Sequence, residues 1–503
     1  MKFDLWHLLL NIRDFIKQNK FECFLLLIIL AVAAFFRLYK IDQYMTFLGD
    51  EGRDVIIVRR IFKETHPPLI GPGTSVGNMY LGPLYYYMMA PALLLANFSP
   101  VGPAVMIVIL GVLTVFLIWF IGRKWFSKVA GLVSAGLYAI SPTVIIFSRS
   151  SWNPNIMPFF ALLSIYSIWR VWKLKEFKWM IVLGIAYAFV LQSHYLGLLL
   201  FPSLLIFWYL ARVPKHFTRY AIFIFAILMS PLLIFDIRHN FINVKALYTL
   251  IATHDGTVLI SVGQIISKIP VIFNQINTSL LAGNNILFGK ILSLMIFVGC
   301  LYVIFKKKIG KLSPNYYLLI SCIGFGLVGF AVYKLPIYDH YFGFLFPVPF
   351  LMIGAVIAVV QRGNSLLVKT LLYTFCLVLA IMNLINNPLR FQPNKQMARS
   401  QNVSEFILDQ ASGKPFDLAV LAERNYEDGY RYFLELWGGI VMHADRWDQK
   451  TIVDQLFVVC EMEEKKCDPP HSSKAEIANF GMSKIESQWQ VDGVLVYKLV
   501  HSK

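Results

Sequence analysis

Apolar residues along this 503-residue chain gather into long runs separated by short polar clusters. A helix needs roughly 20 such residues to cross the hydrocarbon core of a bilayer. Runs near that length lie at 21–38, 102–122, 129–147, 156–172, 179–193, 195–210, 219–235, 286–305, 315–333, 341–360 and 366–385, and they predict eleven membrane helices. A further apolar segment, Gly82-Pro83-Leu84-Tyr85-Tyr86-Tyr87 through Leu95, is short and contains Pro91, so it reads as a partial or tilted helix and gives an expected total of about 11–12. Two polar stretches, 42–81 and 241–280, are too long to be passive connectors. Within them, residues 54–63 read as a short surface helix and Leu259 to Ile276 as an amphipathic stretch. Past Pro388 no span-length run occurs, and strand-like Asp417–Leu421, Leu456–Val459 and Val494–Tyr497 alternate with helix-like Tyr430 to Trp437. The expected fold class is an all-α polytopic membrane protein, residues 1–387, followed by a small soluble α/β domain, residues 388–503.

Composition agrees with this pattern. Apolar residues make up 57% of the chain, charged residues 15%, and the mean hydropathy is +0.61, which a water-soluble chain of this size does not reach. The net charge of +17 could suggest nucleic acid as a partner. Its bases, however, sit in short clusters between apolar runs, as membrane-flanking residues do, and nucleic-acid binding is not expected. Clusters at Arg123-Lys124-Lys128, Arg170 to Lys178, Arg212-Lys215-Arg219, Lys306 to Lys311 and Arg362-Lys369 are separated by even numbers of runs. The positive-inside rule therefore puts all of them, with the N-terminal Lys2, Arg13, Lys17 and Lys20, in the cytoplasm. The long polar stretches and the C-terminal domain then face outward. Cys23, Cys300, Cys322 and Cys376 lie in apolar runs, whereas Cys460 and Cys467 could form a disulfide in the outer domain. No cleavable signal peptide, zinc spacing, Walker loop or dinucleotide fingerprint is evident. Short loops and the absence of targeting tails point to a bacterial or archaeal plasma membrane.

Only twelve of the 29 carboxylates precede residue 388, and Asp50 and Glu51 are adjacent just past the first apolar run. Acids at a membrane surface are costly without a task, so this pair is the leading candidate for catalysis. The plain alternative is a solvated turn in which Asp50 caps the helix that follows. The same predicted face carries His66, His194 and His340, Arg53, Arg149 and Arg238, tyrosines at 85, 195, 338 and 341, and the turn Trp152-Asn153-Pro154-Asn155. A carboxylate can serve as general base, while Arg, His and Tyr can hold a phosphate leaving group. Taken singly, each histidine is better read as an interfacial residue bonded to backbone, and each tyrosine as a member of an aromatic belt. Their clustering on one face favours the functional reading.

The order of these features resembles the membrane glycosyltransferases of the dolichyl-phosphate-mannose protein mannosyltransferase type, which include the lipid A aminoarabinose transferases and share the class C glycosyltransferase fold. The residues that carry the resemblance are Gly49-Asp50-Glu51-Gly52-Arg53-Asp54, Gly82-Pro83-Leu84-Tyr85-Tyr86-Tyr87, Ser148 to Asn155, Gln192-Ser193-His194-Tyr195 and Asp339-His340-Tyr341 with Pro347. It covers most of residues 20–385; the tail is similar only in position and α/β character. Two departures stand out. Relatives often have Lys-Pro-Pro where this chain has Leu81-Gly82-Pro83, and an Asp where it has Asn153 or Asn155. The missing Lys moves the expected phosphate contact to Arg238 or His194.

The resemblance implies an inverting transfer of a hexose or pentose from a polyprenyl-phosphate-sugar donor to a hydroxyl of a lipid, glycan or protein acceptor, on the outer face of the membrane. Asp50 is the expected base, and Glu51 would position the acceptor or a cation. Substrate contacts are expected from Arg53, Tyr85, Arg149, Asn153, Asn155, His194, Tyr195, Arg238, His340 and Tyr341. No cofactor is required; a divalent cation fits carboxylate-plus-His chemistry, but no spacing demands one. The competing readings are a transporter or flippase of lipid-linked glycans and a non-catalytic binding protein of the same fold. Transporters commonly hold their polar groups near the bilayer midplane and often show internal repeats; this chain has no clear repeat.

Overall fold

In the computed structural model, residues 13–74, 79–252, 261–305, 313–333, 336–445 and 447–502 are described. Lys2, the polar sequence Thr253-His254-Asp255-Gly256, Leu259 and the Lys306 to Lys311 cluster lie outside them. Each of the eleven apolar runs is helical. Lys20–Leu38, Val101–Trp125, Lys215–Arg238, Asn315–Val332 and Leu366–Ile385 are individually long and apolar enough to cross a membrane. The bent pair Asp339–Leu345 and Pro347–Arg362, with a 53° angle between them, makes a sixth. The remaining runs form shorter or broken helices. The run at 129–147 breaks into Lys128–Ile140 and Pro142–Phe147, because Pro142 has no N–H to continue the first helix. Ser141, at the break, donates its hydroxyl proton to the carbonyl of Leu280. Leu84–Leu95 has twelve residues, about 18 Å of helix at 1.5 Å per residue, too short to cross alone.

Close backbone approach holds the bundle together where side chains are small. A Cβ on Gly131 would lie 2.6 Å from the Trp119 carbonyl oxygen and 2.7 Å from the Arg123 nitrogen, so the Val101–Trp125 and Lys128–Ile140 helices meet without intervening side chains. Gly82 is equally constrained, since its Cβ would meet the Gln192 carboxamide at 2.0 Å. That carboxamide accepts the Leu84 N–H and donates to the Leu228 carbonyl, and so ties the short helix to two long ones.

The C-terminal part is a five-stranded sheet with β1 (Phe416–Leu421), β2 (Val441–Met442), β3 (Gln455–Cys460), β4 (Ser483–Val491) and β5 (Val494–His501), in the order β2-β1-β3-β5-β4. β1 runs parallel to β2 and β3; β5 runs antiparallel to β3 and β4. Every residue of β1 and β3 is buried. Phe416, Leu418 and Val420 join one core, while Ala419 and Leu421 join the other, which is why these strands read as continuous apolar runs. Sequence patterning does not predict β4. Its residues are all exposed or half-buried at the sheet edge, and it carries no apolar run. The Gln396–Ala411 helix is also absent from the pattern-based reading. Cys460 and Cys467 form a disulfide.

The tail is not a separate appendage. Tyr432 and Phe433 of the Asp428–Leu436 helix are packed into the bundle core, with Phe433 5.5 Å from Phe47 between ring centroids. Close glycine packing makes a direct test of the bundle. Gly131→Val should lower thermal stability in detergent by about 1–3 kcal/mol or prevent folding. At Gly324 an added Cβ would meet nothing within 4 Å, so alanine there should change stability by no more than about 0.5 kcal/mol.

Candidate active site

Asp50 and Glu51 lie in the first turn of the Gly49–Lys63 helix. That helix begins five residues earlier than the pattern at 54–63 suggests, and its N-cap is Leu48, not Asp50. Glu51 provides the reason. Its Oε2 accepts the Leu48 N–H at 3.0 Å and satisfies one of the donors a helix start leaves open. Gly52 leaves no room for a side chain, since a Cβ would sit 2.3 Å from the Asp428 carbonyl carbon and the Gly429 nitrogen. The helix start is therefore pressed against the turn that enters the Asp428–Leu436 helix.

Arg53 organises the acids. Its Nη1 donates to Asp50 Oδ1 at 2.8 Å, and its Nε and Nη2 donate to Asp54 Oδ1 at 3.0 and 2.8 Å. The Tyr86 hydroxyl donates to the same Asp54 oxygen at 2.9 Å. Asp54 is fully buried, whereas the Asp50 side chain is 41% exposed. Burial pushes Asp54 up to about 6 against the opposing pull of Arg53. Glu51 is pushed up to about 7, again by burial, with the Leu48 N–H opposing and Asp50 adding to the shift. Asp50 is the member of this acid group that opens onto solvent space.

Two cavities flank the group. One, of about 200 Å³, is lined by Asp50, Glu51, Thr46, Phe147, Ser150, Trp152, Asn155, Arg424 and Tyr426. The other, of about 700 Å³, is lined by Arg53, Ile57, His66, the segment 67–73, Tyr80, Tyr86, Phe235 and Arg238. The ion-pair chain Asp50–Arg53–Asp54 thus joins a wall of the first cavity to a wall of the second. Arg238 is exposed, and its neighbour Asp236 accepts the Asn243 N–H at 2.7 Å; among the described residues the two form no ion pair.

The other candidates divide into two groups. His340, His194 and Tyr341 form an aromatic cluster beside the first cavity. His340 lies 4.6 Å from Trp152 and 6.2 Å from His194, and His194 lies 5.0 Å from Tyr341, between ring centroids. The rest are occupied by structural bonds. Tyr85 shares a 2.6 Å hydrogen bond with Ser151, Asn153 donates to the Ser193 carbonyl, Asn155 to the Ser150 carbonyl, and Tyr195 to the Tyr80 carbonyl. Arg149 is buried, donates from Nη2 to the Tyr39 carbonyl and lies 4.9 Å over the Tyr44 ring, while its Nε and Nη1 are buried without partners among the described residues; neither cavity is lined by it. Among the described residues, no three His, Cys, Asp or Glu side chains gather to hold a metal ion.

Sequence reading misses Asp54, Arg424 and Tyr426 as members of the site. Asp54 closes the Asp-Glu motif itself and has an acid-Arg-acid spacing on one helix turn that could have drawn notice. Nothing local marks Arg424 and Tyr426: only through the tertiary fold does Arg424 reach the wall of the first cavity and Tyr426 bond Asp50.

Residues 81–235 match the family described as dolichyl-phosphate-mannose-protein mannosyltransferase. No curated protein matches the sequence significantly. Among solved structures, apo ArnT from Cupriavidus metallidurans is similar with a TM-score of 0.60 at 10% identity, covering 94% of this chain and 97% of that one. The oligosaccharyltransferase of Archaeoglobus fulgidus, tethered to an acceptor peptide containing the NVT sequon, is similar with a TM-score of 0.53 at 12% identity, covering 88% and 69%. Archaeal AglB from the same organism, in complex with an inhibitory peptide and a dolichol-phosphate, gives 0.51 at 13% identity over 88% and 70%. The chain is thus a polytopic membrane protein that shares its fold with ArnT and AglB, the class C glycosyltransferase fold, and resembles the dolichyl-phosphate-mannose-protein mannosyltransferases over residues 81–235.

Proposed function

We propose that this protein is an inverting glycosyltransferase that moves a sugar from a polyprenyl-phosphate donor to an acceptor hydroxyl at the outer face of the membrane. The observation that carries this reading is the exposed Asp50 carboxylate, fixed by Arg53 at a cavity wall, with a second cavity bearing Arg53, Arg238 and His66 next to it. The match of residues 81–235 to mannosyltransferases supports it, as does the fold shared with AglB, which is known in complex with a dolichol-phosphate.

The chemistry follows from charge and position. Arg238 and Arg53 face the larger cavity, where guanidinium groups suit the oxygens of a donor phosphate, and Ile57, Leu69, Ile70 and Phe235 offer an apolar approach for its lipid chain. The acceptor hydroxyl gives its proton to Asp50 while its oxygen attacks the anomeric carbon. The bond from that carbon to the phosphate oxygen breaks with its electron pair, and the polyprenyl phosphate leaves on the opposite side. Attack opposite the leaving group inverts the configuration. Glu51 is buried and bonded to Leu48 N–H, so its part is to hold the helix start on which Asp50 sits. Trp152 and His340 supply an aromatic wall for the sugar or acceptor.

The primary test is transfer of radiolabelled hexose from a polyprenyl-phosphate donor to a crude membrane acceptor fraction by purified protein in lipid. Transfer is expected; its absence with folded protein across hexose and pentose donors would leave the reading without support. Asp50→Asn should then lower turnover by roughly two to four orders of magnitude while donor binding survives. Arg238→Ala should weaken donor binding in folded protein, and Arg238→Lys should restore part of it because the planar fork is lost; unchanged donor affinity would remove Arg238 from the phosphate site. Glu51 gives a different signature. An acid that titrates near 7 when folded and near 4.5 when unfolded binds more protons in the native state across that window, so its contribution to stability declines as pH rises through it. Glu51→Gln cannot titrate, and its melting temperature should therefore fall less than that of the wild type between pH 5 and pH 8. A thermal melt series over that range checks it.

A further inference from the structure

Tyr426 enters the acid site from the opposite end of the sequence. Its hydroxyl donates to Asp50 Oδ1 at 2.5 Å, and Arg53 Nη1, which binds the same carboxylate oxygen, also donates to the Tyr426 oxygen at 3.2 Å. Both bonds to Asp50 fall on Oδ1, so Oδ2 is the oxygen left to face an acceptor. Tyr426 is held in turn. Asn425 Oδ1 accepts the N–H of Tyr426 and the N–H of Gly49, each at 2.9 Å, and Asn425 Nδ2 donates to Glu461 at 2.7 Å. The Tyr430 hydroxyl donates to the same Glu461 oxygen at 2.6 Å. Glu461 directly follows β3 and the disulfide-bonded Cys460, and its N–H donates to the Leu421 carbonyl at the end of β1. At Gly49, a Cβ would collide with the Tyr426 ring at 2.5 Å, so the glycine makes room for the ring.

A continuous hydrogen-bonded path therefore runs from the sheet to the acid. Burial holds the Tyr426 phenol well above its ordinary range, beyond what the nearby Arg53 offsets, and the group stays a proton donor. From this geometry we propose that Tyr426 is a positioning residue for Asp50, fixing Oδ1 so that Oδ2 meets the acceptor hydroxyl, and that the C-terminal sheet is thereby an integral part of the active site. This rests on the reading of Asp50 as the base.

The test compares Tyr426→Phe with wild type in the full-length protein in lipid, using the hexose-transfer assay. Phenylalanine keeps the ring against Gly49 and removes only the hydroxyl. Misplacing a catalytic group slightly costs roughly ten- to hundredfold in rate, so kcat should fall by about that much with the KM for donor and acceptor within about twofold. Loss of a donor to a carboxylate favours its protonated form, so the acid limb of the kcat/KM profile should move to higher pH. Arg53, Glu51, Arg424 and His340 also face or approach Asp50 and are unchanged in this variant. Asn425→Ala cuts the path one link further back and should move both readouts in the same direction by less; if Tyr426→Phe does not fold, the split is read on this variant. Wild-type kcat with an unmoved acid limb in folded Tyr426→Phe would overturn the proposal, as would a defect confined to the acceptor KM. The parent reading fails separately: an active Asp50→Asn removes the base and the proposal with it, whereas an inactive Asp50→Asn beside a wild-type Tyr426→Phe removes only the positioning role.

Discussion

A carboxylate with no exposed surface must be hydrogen-bonded or paired, because leaving its charge unmatched in a low-dielectric interior costs several kcal/mol. Asp54 meets that demand at Oδ1, which takes two bonds from Arg53 and one from the hydroxyl of Tyr86, while Oδ2 is buried without a partner among the described residues; most of the site's geometry is a consequence of that pairing. Arg53, committed on one side to a buried acid, has Nη1 free to hold Asp50 at the cavity. Tyr86 brings the short Leu84–Leu95 helix to the same point. That helix is in turn fixed by the contact of Gln192 with Leu84 and Leu228. Removing the guanidinium would strand a buried charge, and this is the interaction on which the Gly49–Lys63 helix, the short helix and the tail all converge.

Other polar groups of the bundle frame the site from outside its cavities. Arg37, fully buried, donates to the Ser148 hydroxyl and to the carbonyls of Ala33 and Ala139, fixing the stretch of chain that leads into the Trp152 turn. Arg149 does the same work nearer the surface. Such arginines satisfy backbone carbonyls where helices end or break inside the bundle, where water cannot. Positive charge in the membrane part thus serves two ends, and only the surroundings of each residue separate them.

How much of this is readable from the sequence depends on the range of the physics involved. Hydropathy is a local property, so all eleven helical runs can be located, although the run at 129–147, read as one helix, breaks at Pro142. β1 and β3 are legible for the same reason, being apolar on both faces. β4 is not, because an exposed edge strand such as Ser483–Val491 has little apolar content to show. At the site, two adjacent acids beside a membrane run mark the place, but not how they divide the work. Glu51 is turned inward to the Leu48 N–H and Asp50 outward to the cavity, a difference of one residue on a helix that starts where the sequence pattern gives no apolar cue. Arg149, Tyr85, Asn153 and Tyr195 have the right chemistry for a ligand and are bonded to protein atoms; residue type alone does not distinguish those uses.

Asp50 and Tyr426 are separated by 376 positions in the sequence. During synthesis the acid, its arginine and much of the bundle therefore leave the ribosome long before the tyrosine that completes them has been made. Contacts of such separation must first offset a large loop-closure entropy, and the Asp50–Tyr426 bond cannot form before residue 426 has been made. A nascent or prematurely terminated chain would possess the membrane helices and the acidic motif, yet lack the hydroxyl that orients the carboxylate. The carboxylate's orientation is in this way out of reach of any chain that stops before residue 426.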